Sequence, residues 1–515
     1  MKEGSVAVSP KWVIVLSVGI LCFGLGMWIR LDAIEHRPLH ADEATGARLL
    51  ADRLETGTYA FDPTHFHGPL LSAFAEPVAR LRGEADWESL SPRALRLGIA
   101  WLGGLTVLLA LAFAPWIGIA GALAAGAFVA TSPFLVYYSR VFIHETLFGF
   151  LAIGTVLALV AYLNGPALWK AVVLGILAGL LMATRETFVI CFFAWAVAGA
   201  LVAFEHHRRG RPLVPGPVVR RLPRDVLLAA ALAFLVVSVL YTGAGSSPAG
   251  LVDFVRTFFV YETGEGHDKP FWHYAWMLLW PKQQGGVWWT EAAIGAGAIL
   301  GFALSFKRPR GDYVRFLFYA GIVQWIVYSV IPYKTPWLVL TPWLHFCLVA
   351  GAGVGYLFGG GGIARKGAVL AVVVALLVWH KGQADRATHR YASDTRNPYA
   401  YVPTSTDIER APALIAEMAR VSPDVEAGPV AVIGRAYWPL PWYLRGTPSV
   451  GYWDSLPEDA QRFPVLLVLP AELARVRESL DDTHTALPRG LRADTPVFLL
   501  VRNDIWEAYL DFDDE

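Results

Sequence analysis

Long uncharged apolar runs recur along this chain, each bounded by polar or basic residues. A helix crossing a hydrocarbon layer needs about 17–25 such residues. Roughly eleven stretches approach or meet this length, at approximately 11–31, 94–114, 117–136, 146–163, 168–183, 187–204, 225–243, 291–306, 314–332, 337–358 and 366–380. After residue 380 the pattern changes. Pro429–Ile433, Pro464–Leu469 and Val497–Val501 are short, rich in Val and Leu, and read as buried strands, with Ala471–Leu480 helical between them. The expected fold class is a mainly α, polytopic membrane protein of about eleven spans over residues 1–380, followed by a small α/β domain over 381–515. No small-residue cleavage site follows Lys11–Leu31, so that segment is read as a retained first helix.

Composition agrees with the pattern. Of 515 residues, 55% are hydrophobic and 17% charged, and the mean hydropathy is +0.45. An ordinary soluble domain carries about 25% charged residues. Abundant aromatic and aliphatic residues exclude a disordered chain. Forty-three basic residues balance 43 acidic ones, which excludes the basic excess of a general nucleic-acid binder. Cys22, Cys191 and Cys347 each lie in an apolar run, with no disulfide or metal-site spacing.

The zero net charge conceals an asymmetry. Arg208, Arg209, Arg211, Arg220, Arg221 and Arg224 crowd one loop; Lys307, Arg308, Arg310 and Arg315 another; Arg365 and Lys366 a third. Short basic loops stay cytoplasmic. Alternation then puts the N-terminus in the cytoplasm and the C-terminal domain outside a cell membrane. The neutral total divides into +11 inside and −11 outside, of which the residues from 381 contribute −7.

The distinctive polar clusters all fall on the expected outer side. The first outer loop, 32–93, holds His40, Asp42, Glu43 and Arg48, then Asp62, His65 and His67-Gly68-Pro69. Asp42 or Glu43 there fits a general base, and Asp42 equally fits a helix cap. Tyr138-Ser139-Arg140 with Glu145, then Arg185-Glu186, then Lys334-Thr335-Pro336-Trp337 mark later outer turns. Each alone reads as an interfacial anchor or local ion pair. Together they predict one polar cavity holding carboxylates for proton transfer and cations for an anionic group such as phosphate. Loop 244–290 adds Glu262, Glu265, His267, Asp268, Lys269, His273 and five tryptophans, read as belt residues or, alternatively, sugar-stacking faces. No metal ligand set is expected, and no cofactor.

These motifs resemble the GT-C glycosyltransferases, including the protein O-mannosyltransferases and lipid A aminoarabinose transferases. Asp42-Glu43 is similar to the acidic pair of the mannosyltransferases. Tyr138-Ser139-Arg140 with Glu145 is similar to a Tyr-Ser-Arg-x4-Asp motif in which Glu replaces Asp. His67-Gly68-Pro69, Lys334-Thr335-Pro336-Trp337 and Tyr437-Trp438-Pro439-Leu440-Pro441-Trp442-Tyr443-Leu444-Arg445 resemble a prokaryotic subfamily associated with flippase activity in archaeal protein N-glycosylation.

The resemblance implies transfer of a sugar from a polyprenyl-phosphate donor to a glycan, lipid or protein acceptor, with inversion and with membrane lipids around the site. Asp42 is then the preferred base and Glu43 its neighbour. Arg140, Arg185 and Lys334 bind the donor phosphate. His40, His67, Tyr138, Glu145, Glu186 and Trp337 line the substrate site. The competing reading is a flippase component that moves lipid-linked glycans without chemistry. The absence of an internal repeat, and the position of the charges at helix ends, favour the enzyme.

Overall fold

The computed structural model describes residues 10–59, 61–64, 66–210, 216–260 and 266–513. His65, Arg211, Glu262 and Glu265 lie outside the described residues. The chain is mostly helical, at 66%. Each apolar run coincides with a helix: Pro10–Leu31, Pro92–Ala112, Ile119–Thr131, His144–Leu163, Leu168–Met182, Phe188–Arg208, Gly216–Tyr241, Ala292–Ser305, Gly311–Val330, Leu340–Phe358 and Ile363–Thr388. Among the described residues seven helices are long and apolar enough to cross a membrane. Val15–Leu31, Ile119–Thr131, Leu168–Met182 and Ala292–Ser305 are shorter apolar segments. The chain is a multi-pass membrane protein.

Small residues bring these helices together. A Cβ on Gly351 would lie 2.5 Å from the Gly121 carbonyl oxygen, and one on Gly175 2.6 Å from that of Ala229. Without a hydrophobic drive between helices in lipid, such close backbone approach supplies the packing contacts. The run expected as one span over 117–136 is divided. Pro133 has no N–H to donate to the helix, so Ile119–Thr131 ends just before it. Ser132 then caps a short second helix, Pro133–Tyr138, by accepting from Leu135 N at 3.3 Å.

The polar turns at His40 and Tyr138 lie beside the segment that leads into the C-terminal domain, bonded to the Tyr401 and Tyr399 carbonyls. On the domain side a small hairpin pairs β1 (Lys282–Gln284) with β2 (Val287–Trp289). The last apolar helix continues past residue 380 to Thr388 and leads into a strap that packs on the membrane helices before the sheet begins.

The C-terminal sheet contains β3 (Val430–Ile433), β4 (Val450–Trp453), β5 (Val465–Val468), β6 (His484–Arg492) and β7 (Thr495–Arg502), in the order β4-β3-β5-β7-β6. The strands expected from sequence are β3, β5 and β7, and the helix expected between them is Pro470–Leu480. β3 is parallel to β4 and β5, while β7 is antiparallel to β5 and β6. β4 and β6 are the edges. Pro488 and Gly490 break the apolar alternation of β6, which an edge tolerates because only one side must hydrogen-bond. Apolar residues of β3 and β5 feed a core on each face, with Val432 and Leu467 on one and Ala431 and Leu466 on the other.

The domain is tied to the membrane part next to His40. Thr404 Oγ1 donates to the Leu39 carbonyl at 2.8 Å, and Tyr443 Oη to the same oxygen at 3.4 Å. Trp442 of the Tyr437–Arg445 motif meets Trp87 edge-on, with centroids 5.5 Å apart.

Candidate active site

The loop after the first apolar helix turns at His40 and starts the helix Ala41–Thr56. Asp42 N donates to His40 Nδ1 at 3.1 Å, and His40 N donates to Glu43 Oε2 at 3.0 Å, which closes a capping box. Because Nδ1 accepts, the ring proton sits on Nε2, which donates to the Tyr401 carbonyl at 3.0 Å. The cap is therefore His40, and the Asp42 carboxylate is not spent on it. The Asp42 side chain is 54% exposed, and its carboxylate lies 3.8 Å from the neutral His40 ring at Nδ1.

Glu43 has the opposite surroundings. It is fully buried and accepts from Arg37 Nη2 at 2.6 Å and from Arg96 Nε and Nη2 at 2.8 and 3.0 Å. His40 N and Phe142 N complete its shell, the latter at 2.9 Å. Burial alone raises a carboxyl pKa, but the Arg37 and Arg96 guanidiniums outweigh it and hold Glu43 well below the usual carboxylate range. Both oxygens are already occupied, so Glu43 has no room for a substrate proton. Its chemistry is to lock the turn that presents Asp42.

A second acidic group lies where two later turns meet the loop 61–69. Arg185 Nη1 pairs closely with Glu145, and its Nε lies 3.4 Å from Glu186. Glu186 Oε2 is 3.0 Å from His67 Nδ1, and the His67 ring meets His144 edge-on at 5.1 Å. Burial raises the Glu186 pKa, but His67 and Arg185 more than reverse it. Gly68 admits this ladder, because a Cβ there would overlap the Ala183 carbonyl oxygen.

Asp42 faces aromatic and imidazole groups from three separate segments. Burial, then Tyr333 and Asp42, raise the Tyr401 phenol to about 12. Burial lowers the His267 pKa, and the Asp42 charge opposes it. Tyr401 Oη is hydrogen-bonded to His267 Nδ1. Trp337 completes the wall, edge-on to His40, Tyr138 and Tyr401 at 6.0, 5.9 and 5.5 Å. Asp42 is also within electrostatic range of Glu145. The structure thus brings together Asp42, His40, Trp337, Tyr138, Glu145, Arg185, Glu186 and His67.

It places Arg140 and Lys334 differently. Arg140 donates to the Ile29 and Ala33 carbonyls, each at 2.8 Å, and so closes the C-terminal end of the first helix. Lys334 Nζ is buried and donates to the Lys269 and Ile331 carbonyls at 2.9 and 2.5 Å, joining two loops. Tyr138 Oη donates to the Tyr399 carbonyl at 2.6 Å, so its role is to hold the strap that carries Tyr401. Among the described residues no three His, Cys, Asp or Glu side chains converge as a metal site.

Sequence reasoning missed several of these groups. Arg37, Arg96 and Tyr401 gave no local signal. Glu291 did: an acid at the edge of an apolar run with no basic neighbour. It is buried and accepts from Ser132 Oγ (2.5 Å), Phe134 N (2.8 Å), Trp343 Nε1 (3.0 Å) and Tyr399 Oη (3.1 Å), and so fastens the strap from below.

An apolar cavity of about 950 Å³ opens between the helices His144–Leu163, Leu168–Met182 and Gly216–Tyr241. Its lining runs from Leu159 and Leu163 at the basic-loop end to Met182 and Phe254 at the other, where Arg185 is three residues along the chain.

No known family model matches the chain, and no curated protein matches it. Solved structures do. It superposes on ArnT from Cupriavidus metallidurans in the apo state with a TM-score of 0.62 at 13% identity, over 97% of this chain and 99% of that one. The same protein bound to undecaprenyl phosphate gives 0.60 at 13% identity, over the same shares. The Archaeoglobus fulgidus oligosaccharyltransferase tethered to an acceptor peptide gives 0.57 at 14% identity, over 86% of this chain and 64% of that one. The fold is that of the GT-C glycosyltransferases.

Proposed function

We propose that this chain is an integral-membrane glycosyltransferase that moves a sugar from a polyprenyl-phosphate donor to an acceptor hydroxyl on the extracytoplasmic side, with inversion. The observation that carries the reading is the contrast at residues 42 and 43. A helix start built to hold Asp42 half-exposed, with the cap supplied by His40 and the charge lock by Glu43, is the arrangement a general base requires. A carboxylate set near Tyr401 and His267, with an apolar cavity in the same helical bundle, fits a substrate with a charged head and a prenyl tail. The likeness in fold to ArnT bound to undecaprenyl phosphate supports the same substrate class.

In the proposed reaction the acceptor oxygen attacks the anomeric carbon as Asp42 takes its proton. The bond from that carbon to the phosphate oxygen breaks, and polyprenyl phosphate leaves with the electron pair. Phosphate is a good leaving group and needs little protonation, so one carboxylate suffices, whereas a glycosidase needs two. Arg185 is the donor-facing cation of this proposal, held in orientation by Glu145 and Glu186. Arg140 and Lys334 contribute by fixing the loops around the site.

Asp42→Asn in purified protein, supplied with polyprenyl-phosphate sugars, tests this. Sugar transfer should fall by about 100-fold or more with donor binding retained. Unchanged transfer removes Asp42 as the base. Movement of lipid-linked sugar across vesicles by the wild type, with no transfer to any acceptor, establishes the flippase reading instead.

A further inference from the structure

The loop between the seventh and eighth apolar helices carries a basic group that the proposed site does not use. Lys282, on β1, is only 9% exposed, and among the described residues its Nζ has no hydrogen-bond partner. Its close neighbour is the face of Trp276, with Nζ 3.7 Å from the ring centroid. His273 stands one helical turn before Trp276 and has a buried Nε2 that is likewise without a partner. Lys269, Lys282 and Lys334 all act electrostatically on His273. Among the described residues, no ion pair joins a carboxylate to Lys269, His273 or Lys282. A buried ammonium with only a ring face for company is costly, and an anion received by the two orphan donors would remove that cost.

The flanks say where the anion comes from. Phe271, Trp272, Trp276, Trp280 and Trp288 are all exposed, at 45–66%. They come from the short helix and hairpin that carry the two donors and from the turns adjoining them, shortly before the apolar helix Ala292–Ser305 begins. Large exposed rings beside a cationic pocket at the end of an apolar helix belong to the membrane interface, where phosphates of lipid headgroups lie.

We propose that Lys282 and His273 form a phosphate site for a membrane phospholipid headgroup, separate from the site around Asp42. Lys282 supplies the charge, His273 Nε2 a directed hydrogen bond, and the tryptophans flank the glycerol and the upper acyl chains. Burial without a partner lowers the Lys282 ammonium to about 8, and burial followed by the neighbouring lysines lowers His273 to about 4. Both depressions should relax once a phosphate is bound.

The test uses the full chain in detergent, titrated with phosphatidylglycerol, undecaprenyl phosphate or inorganic phosphate, and read by native mass spectrometry and thermal midpoint. Phosphatidylglycerol should bind as a single retained lipid and raise the midpoint. Lys282→Gln should weaken that binding about fivefold or more, as should His273→Gln, while Asp42→Asn leaves it unchanged. Neither Lys282→Gln nor His273→Gln adds bulk, and removal of the buried charge favours folding. Equal phosphatidylglycerol binding by wild type and Lys282→Gln overturns the proposal. So does undecaprenyl phosphate binding about tenfold tighter than phosphatidylglycerol with the same dependence on Lys282, which makes this the head of the donor site. Binding of inorganic phosphate as tight as that of the lipid overturns the assignment to a headgroup.

Discussion

Exchange of Glu43 for glutamine separates the framework from the chemistry at two adjacent residues. Glu43 accepts five hydrogen bonds, three of them from two guanidiniums. An amide keeps one oxygen and turns the other into a donor. Whichever way it faces, an N–H is directed at either Arg96 Nε and Phe142 N, or Arg37 Nη2, Arg96 Nη2 and His40 N. Arg96 is fully buried and cannot turn to water, although Arg37, at 11% exposure, partly can. Breaking a buried ion pair in this way costs about 3–5 kcal/mol. Asp42→Asn removes a charge from a half-exposed side chain and costs no more than about 0.5 kcal/mol. Thermal unfolding of the two variants in the same detergent, followed by tryptophan fluorescence, checks the contrast. Glu43→Gln should melt several degrees below wild type and Asp42→Asn within error of it. A Glu43→Gln protein as stable as wild type would refute the buried-lock reasoning.

Acidification should act through the same group. The folded pKa values of Glu43 and Glu186 lie below the unfolded value of about 4.3. Their stabilisation is therefore complete above about pH 5 and declines as pH falls toward the folded values. The thermal midpoint should hold from about pH 7 to pH 5 and drop between about pH 5 and pH 3 in wild type, and drop less in Glu43→Gln; equal drops would rule Glu43 out as a source of acid sensitivity. In the apolar cavity, Ala230→Trp should raise KM for a long polyprenyl-phosphate donor roughly tenfold, about 1.4 kcal/mol of binding, with kcat retained. An unchanged KM would show that the prenyl tail lies elsewhere.

Much of the architecture was legible along the chain. A span is recognised by apolar length, and length is a local property, so every one of the eleven runs is helical, with only 117–136 divided in two. The strands β3, β5 and β7 were legible for a related reason: each is largely apolar and bounded by polar residues. The edges β4 and β6 were not, because a strand hydrogen-bonded on one side tolerates residues such as Pro488 and Gly490. The division at Pro133 was visible as a proline, but its result, a capped second helix, depended on Ser132 finding Leu135 N.

Sequence by itself also determined at which helix ends the polar residues gather, since charge in an apolar chain is confined to the ends. It could not separate Asp42 from Glu43. They are adjacent carboxylates, and their difference is imposed by Arg37, Arg96 and Phe142 from other parts of the chain. It could not show that Arg140 and Lys334 are held by backbone carbonyls, or that Lys282 has no hydrogen-bond partner among the described residues. Whether a charge is free depends on what surrounds it, and burial, unlike hydropathy, is a property only the packed tertiary structure possesses.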